Sequence, residues 1–167
     1  ADAAECGSFE VGLHGTSEML VECFIDLMEA GVLKREVDGA LVHAGFFLGS
    51  GNFYHKLREM APETRAKIAM VPISYVNDLY GDEEKKRRAR RDARFVNTAM
   101  MATLMGGVVS DGLEDGRVVS GVGGQYNFVD QAFALEDARL WPSDHSASPA
   151  RYRGNGIWCR GFTGEDR

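Results

Sequence analysis

Short apolar segments alternate with polar, glycine-bearing joints along most of this chain. Phe9 to Leu13 reads as a short strand, and His14-Gly-Thr-Ser as a turn in which Ser17 is placed to cap a helix. From Met19 to Ala30 the apolar residues Leu20, Phe24, Leu27 and Met28 recur at helical spacing, and Gly31 supplies a stop. Ala40 to Leu48 is apolar and ends in Gly-Ser-Gly, the pattern of a buried strand. Phe53 to Met60 predicts a short helix. Lys67 to Val76 is strand-like but interrupted by Pro72, which argues for an edge or a break. Phe95 to Met101 and Val118 to Val122 predict further buried strands, joined by the turn-rich Asp111-Gly-Leu-Glu-Asp-Gly. Phe128 to Leu135 predicts a helix. Strand alternating with helix predicts an α/β fold: an open, mostly parallel sheet with helices on both faces.

The 167 residues, 44% hydrophobic and 26% charged, suffice for a packed core and exclude wholesale disorder. A net charge of −6 argues against a globally basic nucleic-acid binder. No apolar run reaches the roughly 18–20 residues that cross a bilayer, so no membrane partner is expected. Cys6, Cys23 and Cys159 show no metal-ligand spacing and cannot all pair, which makes a reduced, cytoplasmic setting the default. Ala1 in place of Met, with no leader behind it, reads as a processed chain or a piece of a longer one. Seven of the 19 basic residues fall in Lys85–Arg94, a run that reads as a solvated face, with a phosphate contact as the sharper alternative. His14, His43 and His55 lack zinc spacing, and Met100, Met101 and Met105 read as core filler, so no metal and no bound cofactor are expected.

Two segments carry candidate chemistry. In His14-Gly-Thr-Ser-Glu-Met, Glu18 stands at a strand-to-helix junction, where sites gather in open α/β sheets; the plainer reading is that it complements a helix dipole. In Ser120-Gly-Val-Gly-Gly-Gln-Tyr-Asn-Phe, glycines between a strand and a helix let a ligand approach backbone N–H groups. Neither the dinucleotide spacing nor a P-loop lysine is present.

Together with Tyr75-Val-Asn-Asp and Phe95-Val-Asn-Thr-Ala, these segments resemble, in order, the C-terminal domain of the acetyl-CoA hydrolase/transferase family, a branch of the class I CoA-transferases. The resemblance runs from Phe9 to Ala138, and Asn127 stands where many relatives carry Asp. It implies a CoA-transferase-like, truncated domain over residues 1–139 with a CoA thioester as substrate and a small carboxylate as acceptor, and it leaves room for a homodimer. It implies that Glu18 is the nucleophile and that the amides around Gly121, Val122, Gly123, Gly124 and Gln125 bind CoA or stabilise an oxyanion. Transferase and hydrolase outcomes both stay open. So does a non-catalytic remnant that binds a partner subunit through an exposed edge. A sugar-phosphate isomerase of similar architecture ranks low for want of a distinctive Lys/Asp set.

After Arg139 the resemblance stops. Back-translating Leu140 onward with free synonymous codons and dropping the first base gives YGHRTIPRHLRAIVVTEYGVADLRGKT, which resembles the family's downstream segment. This implies a deletion and frameshift near Arg139. Residues 140–167 are then expected to be irregular and without function, Cys159 included. With the next strand and the family's N-terminal domain missing, the isolated chain is expected to be marginally stable and nearly inactive.

Overall fold

The computed structural model describes residues 10–104, 107–136 and 138–144, the last six as backbone alone. The chain divides into two compact units, Ala1–Asp78 and Leu79–Arg167, a division the sequence did not mark.

The first unit is built on three parallel strands, β1 (Gly15–Leu20), β2 (Val42–Phe47) and β3 (Ile68–Met70), in the order β1-β2-β3. Parallel pairing needs crossovers. The first is α1 (Glu22–Glu29); α2 (Gly51–Glu59) and α3 (Pro62–Arg65) make the second, and α4 (Ile73–Asn77) follows β3. Side chains alternate across a strand, so β2 has two distinct faces. Val42 and Ala44, both fully buried, face Ile25 of α1 and Phe53 of α2 in the core, with Leu20 and Leu33. On the other face Gly45 meets Ile73 and His43 meets Tyr75, so α4 covers that side. Helices thus lie on both faces of an open parallel sheet, the α/β architecture that the alternation of elements predicts.

Local chemistry explains several boundaries. Ser50 caps α2, its hydroxyl accepting from Phe53 N at 3.1 Å. Lys56 of α2 reaches Asp26 at 2.8 Å and Glu22 at 3.4 Å, tying α2 to α1 along their exposed flank. The expectations for the segment before α1 fail here. His14-Gly-Thr-Ser is not a turn: Gly15 to Leu20 pair with Val42 to Phe47, and Ser17 donates to the Met19 carbonyl (2.9 Å) instead of capping. The helix begins at Glu22, after an N-cap, Val21, that has no side-chain bond. Leu13 makes only an isolated bridge to Leu33 and Phe9 lies outside the described residues; the strand here, β1, begins at Gly15, in register with the buried β2. The break expected at Pro72 is there: β3, at an edge of the three-stranded sheet, ends at Met70, and beyond Pro72, the N-cap of α4, the chain is helical and not strand.

In the second unit α5 (Glu83–Ala89) precedes β4 (Arg94–Ala99), and a small antiparallel pair follows, β5 (Met101–Ala102) with β6 (Val108–Val109). Then come α6 (Gln125–Ala134) and β7 (Arg139–Asp144), the latter parallel to β4. Phe128 of α6 packs on Phe95 of β4, ring centres 6.1 Å apart. Val118–Val122 is not a strand. Val118 bridges Gly112 and is 76% exposed, and among the described residues no strand receives the run. Leu140–Asp144, expected to be irregular, pairs in register with Phe95–Ala99; Pro142 falls opposite Asn97, tolerable in an edge strand. Residues 145–167, with Cys159, lie outside the described residues, as does Cys6.

Candidate active site

β1 delivers Glu18 near its C-terminal end, where open parallel sheets form their sites. The residue is in a strand and not in the first turn of a helix, so the helix-dipole reading of its carboxylate falls. The register pairs Thr16 with His43 and Ser17 with Ala44, which sets Glu18 on the face covered by α4. There Asn77, the last residue of α4, donates from Nδ2 to Glu18 Oε1 at 2.7 Å. A half-buried carboxylate therefore has one oxygen tethered by a neutral amide.

Gly45 makes this approach possible. A Cβ there would lie 2.0 Å from Ile73 Cδ1 and 3.2 Å from the Glu18 carbonyl oxygen, so α4 and β1 close over a position without a side chain.

Beside Glu18 on the same face lies a polar stack. His43 Nδ1 and His14 Nε2 share a hydrogen bond of 3.0 Å, and the His43 ring packs on Tyr75 with centres 4.9 Å apart. The Tyr75 hydroxyl donates to Asp38 Oδ2 at 3.1 Å. Asp38 occupies a left-handed conformation (φ 52°) in the tight Val37–Ala40 turn. Burial foremost, then the neighbouring His43, lowers the His14 pKa from 6.5 to about 4; the Arg35 guanidinium acts the same way, and backbone groups at Arg35 and Ala40 oppose in part. His14 is therefore neutral at pH 7. Read singly, these histidines carry no ligand spacing, and only the fold shows them as a pair.

The glycine segment belongs to the second unit. Gly123 has φ +59°, with open space where a Cβ would stand, and Gly124 is the N-cap of α6. Gln125 opens the helix, so the first N–H groups of α6 have no partner within it. Gly121 and Val122 are exposed, Val122 to 62%. These positions lead into the N-terminus of α6, where the first backbone N–H groups are not used within the helix.

The basic run takes a structural part. Lys86, only 6% exposed, donates to the Tyr80 carbonyl at 2.8 Å, Arg87 to the Ala134 carbonyl at the end of α6, and Arg90 to buried Gln131. Arg88 pairs with Glu84 along α5 at 2.9 Å. These bonds fasten α5 to α6 and hold the guanidiniums of Arg87 and Arg90 on protein acceptors. Among the described residues there is no group of three or more His, Cys, Asp or Glu that could hold a metal ion. No helix among them is long and apolar enough to cross a membrane.

Asn77 is the site residue that pattern reading passed over. Tyr75-Val-Asn-Asp carried the resemblance, but Asn77 received no role. The available signal was a lone amide closing a short segment that a proline opens.

An open parallel α/β unit with a tethered carboxylate at a strand's C-terminal end has the form of an enzyme domain. A family model, the acetyl-CoA hydrolase/transferase C-terminal domain, matches residues 49–151, and the chain belongs to that family. The matched span contains Asn77 and Gly121–Gln125, begins after Glu18, and continues past Arg139. No curated protein matches the chain. Family membership makes an enzyme acting on CoA thioesters the general expectation, as transferase or hydrolase.

Proposed function

We propose that this chain carries the nucleophile half of a CoA transfer, and that Glu18 is the group that becomes acylated. The observation that carries the reading is the Asn77–Glu18 hydrogen bond of 2.7 Å at the C-terminal end of β1. Glu18 Oε2 attacks the acyl-CoA carbonyl, the C–S bond breaks, and CoA thiolate leaves a mixed anhydride. The thiolate then adds to Glu18 Cδ and expels the acyl group as a free carboxylate, leaving a glutamyl-CoA thioester. An acceptor carboxylate adds to Cδ, releases the thiolate and forms a new anhydride. Attack of the thiolate on the acceptor's acyl carbon restores Glu18 and gives the new acyl-CoA. Water in place of the acceptor makes the same site a hydrolase.

Each addition at Cδ throws charge onto Oε1, the atom that Asn77 Nδ2 already holds. One such donor typically contributes about 3–4 kcal/mol to the transition state.

The test is covalent trapping. The full chain is mixed with acetyl-CoA, quenched with hydroxylamine or borohydride, and digested for mass spectrometry. Modification at Glu18 that Glu18→Gln abolishes supports the reading. A Glu18 that stays unmodified over hours at saturating acetyl-CoA refutes it.

A further inference from the structure

The amide that holds Glu18 stands at the end of a five-residue helix. A helix so short has no stability of its own, so its place depends on what binds it to the sheet. Ile73 seats over Gly45, and Val76 is fully buried. With Asn77 they share one face, spaced three and four residues apart. Apolar contacts of this kind fix how close α4 lies, but they are non-directional and leave its roll about its own axis loosely set. Roll matters here. At a side-chain radius of about 5–6 Å, a roll of ~20° moves a side-chain tip about 2 Å. That would take Asn77 Nδ2 out of hydrogen-bonding range of Oε1.

Tyr75 projects from a different side of α4 and makes the directional contacts. Its ring lies on the His43 ring, and its hydroxyl is tied to Asp38. His43 is 3% exposed and is itself held by His14 from β1's side of the sheet. An apolar residue would have filled the space at lower cost than two partly desolvated imidazoles. What the imidazoles add is a fixed ring plane against which Tyr75 can register.

We infer that Tyr75 and His43 are positioning residues: their stack, backed by His14, sets the roll of α4 and so keeps the Asn77 amide on Glu18. This rests on the reading of Glu18 as the nucleophile.

The test uses the full chain with acetyl-CoA as probe. It measures the rate of Glu18 labelling at saturating and sub-saturating acetyl-CoA, together with hydrogen exchange of the peptide covering residues 72–78. Tyr75→Leu keeps an apolar side chain and loses the flat ring and the hydroxyl. Its labelling rate at saturation is expected to fall about tenfold or more, with the half-saturating concentration changed less than about threefold, because a misplaced group costs rate and not binding. Exchange across residues 72–78 rises. Tyr75→Phe keeps the ring and restores the rate to within about threefold of the parent. If the Leu variant does not fold, Tyr75→Met carries the same expectation.

A Leu variant that labels at the parent rate overturns the inference. So does one whose loss lies in the half-saturating concentration, which would make Tyr75 a substrate contact. A Phe variant as slow as Leu also overturns it, since the Asp38 bond would then do the holding. If the parent chain never labels at Glu18, the nucleophile reading fails by itself. The exchange data then decide the anchor alone: raised exchange in the Leu variant upholds it, and unchanged exchange ends it.

Discussion

Acid should loosen the first unit through one identifiable ring. In the folded chain His14 resists protonation until about pH 4, whereas an unfolded histidine takes its proton near 6.5. Between those values the unfolded state binds more protons, so stability is full above about pH 6.5 and declines as the pH falls toward 4. Each pKa unit corresponds to about 1.4 kcal/mol, which places the upper limit near ~3 kcal/mol. The ring is only half-buried, and solvent screening reduces the expected loss to roughly 2 kcal/mol. The perturbation is His14→Gln, which keeps a hydrogen-bonding side chain for His43 and removes the titration. The assay is peptide-resolved hydrogen exchange over residues 10–47 at pH 7.5, 6, 5 and 4, corrected for intrinsic exchange rates, so that the second unit does not contribute. The parent's opening free energy should drop by roughly 2 kcal/mol more than the variant's across that range. Parallel pH profiles would refute the argument, because His14 would then titrate alike folded and unfolded.

Two further outcomes follow from the geometry at Glu18. Asn77→Ala should slow formation of the glutamyl-CoA thioester by about 10²–10³-fold at saturating acetyl-CoA, read by quenched-flow mass spectrometry, because it removes the donor on Oε1. Gly45→Ala should lower stability by about 1–3 kcal/mol in urea unfolding and slow the same labelling, because the new methyl meets Ile73 Cδ1 at 2.0 Å and pushes α4 off the sheet.

Much of the scaffold was legible because burial writes a clear pattern. The apolar run of β2 reads as a buried strand, and Val42 and Ala44 are fully buried there. The Phe53–Met60 periodicity marks α2 to within two residues of its start. The helix expected over Phe128 to Leu135 is α6, which opens three residues earlier, at Gln125, directly after the glycines. The site was harder to read, and for one physical reason. Pattern reading takes polar residues for solvated ones, and on the α4 face of β1 and β2 polar residues face each other instead. His14, Thr16 and Glu18 therefore look like a turn, whereas each second residue meets a polar partner across the sheet or on α4. The same assumption fails in reverse at Val118–Val122, where an apolar run finds no strand to join among the described residues and stays exposed. Local pattern and tertiary structure disagree most around the residues proposed to bear chemistry, as expected where a chain gives up local consistency for a site. That disagreement is itself informative. A helix of five residues, started by proline and carrying Tyr75 and Asn77 onto a strand with a glycine gap, is poor scaffolding by every local rule. It becomes intelligible under the proposed role, which is to hold one amide against one carboxylate.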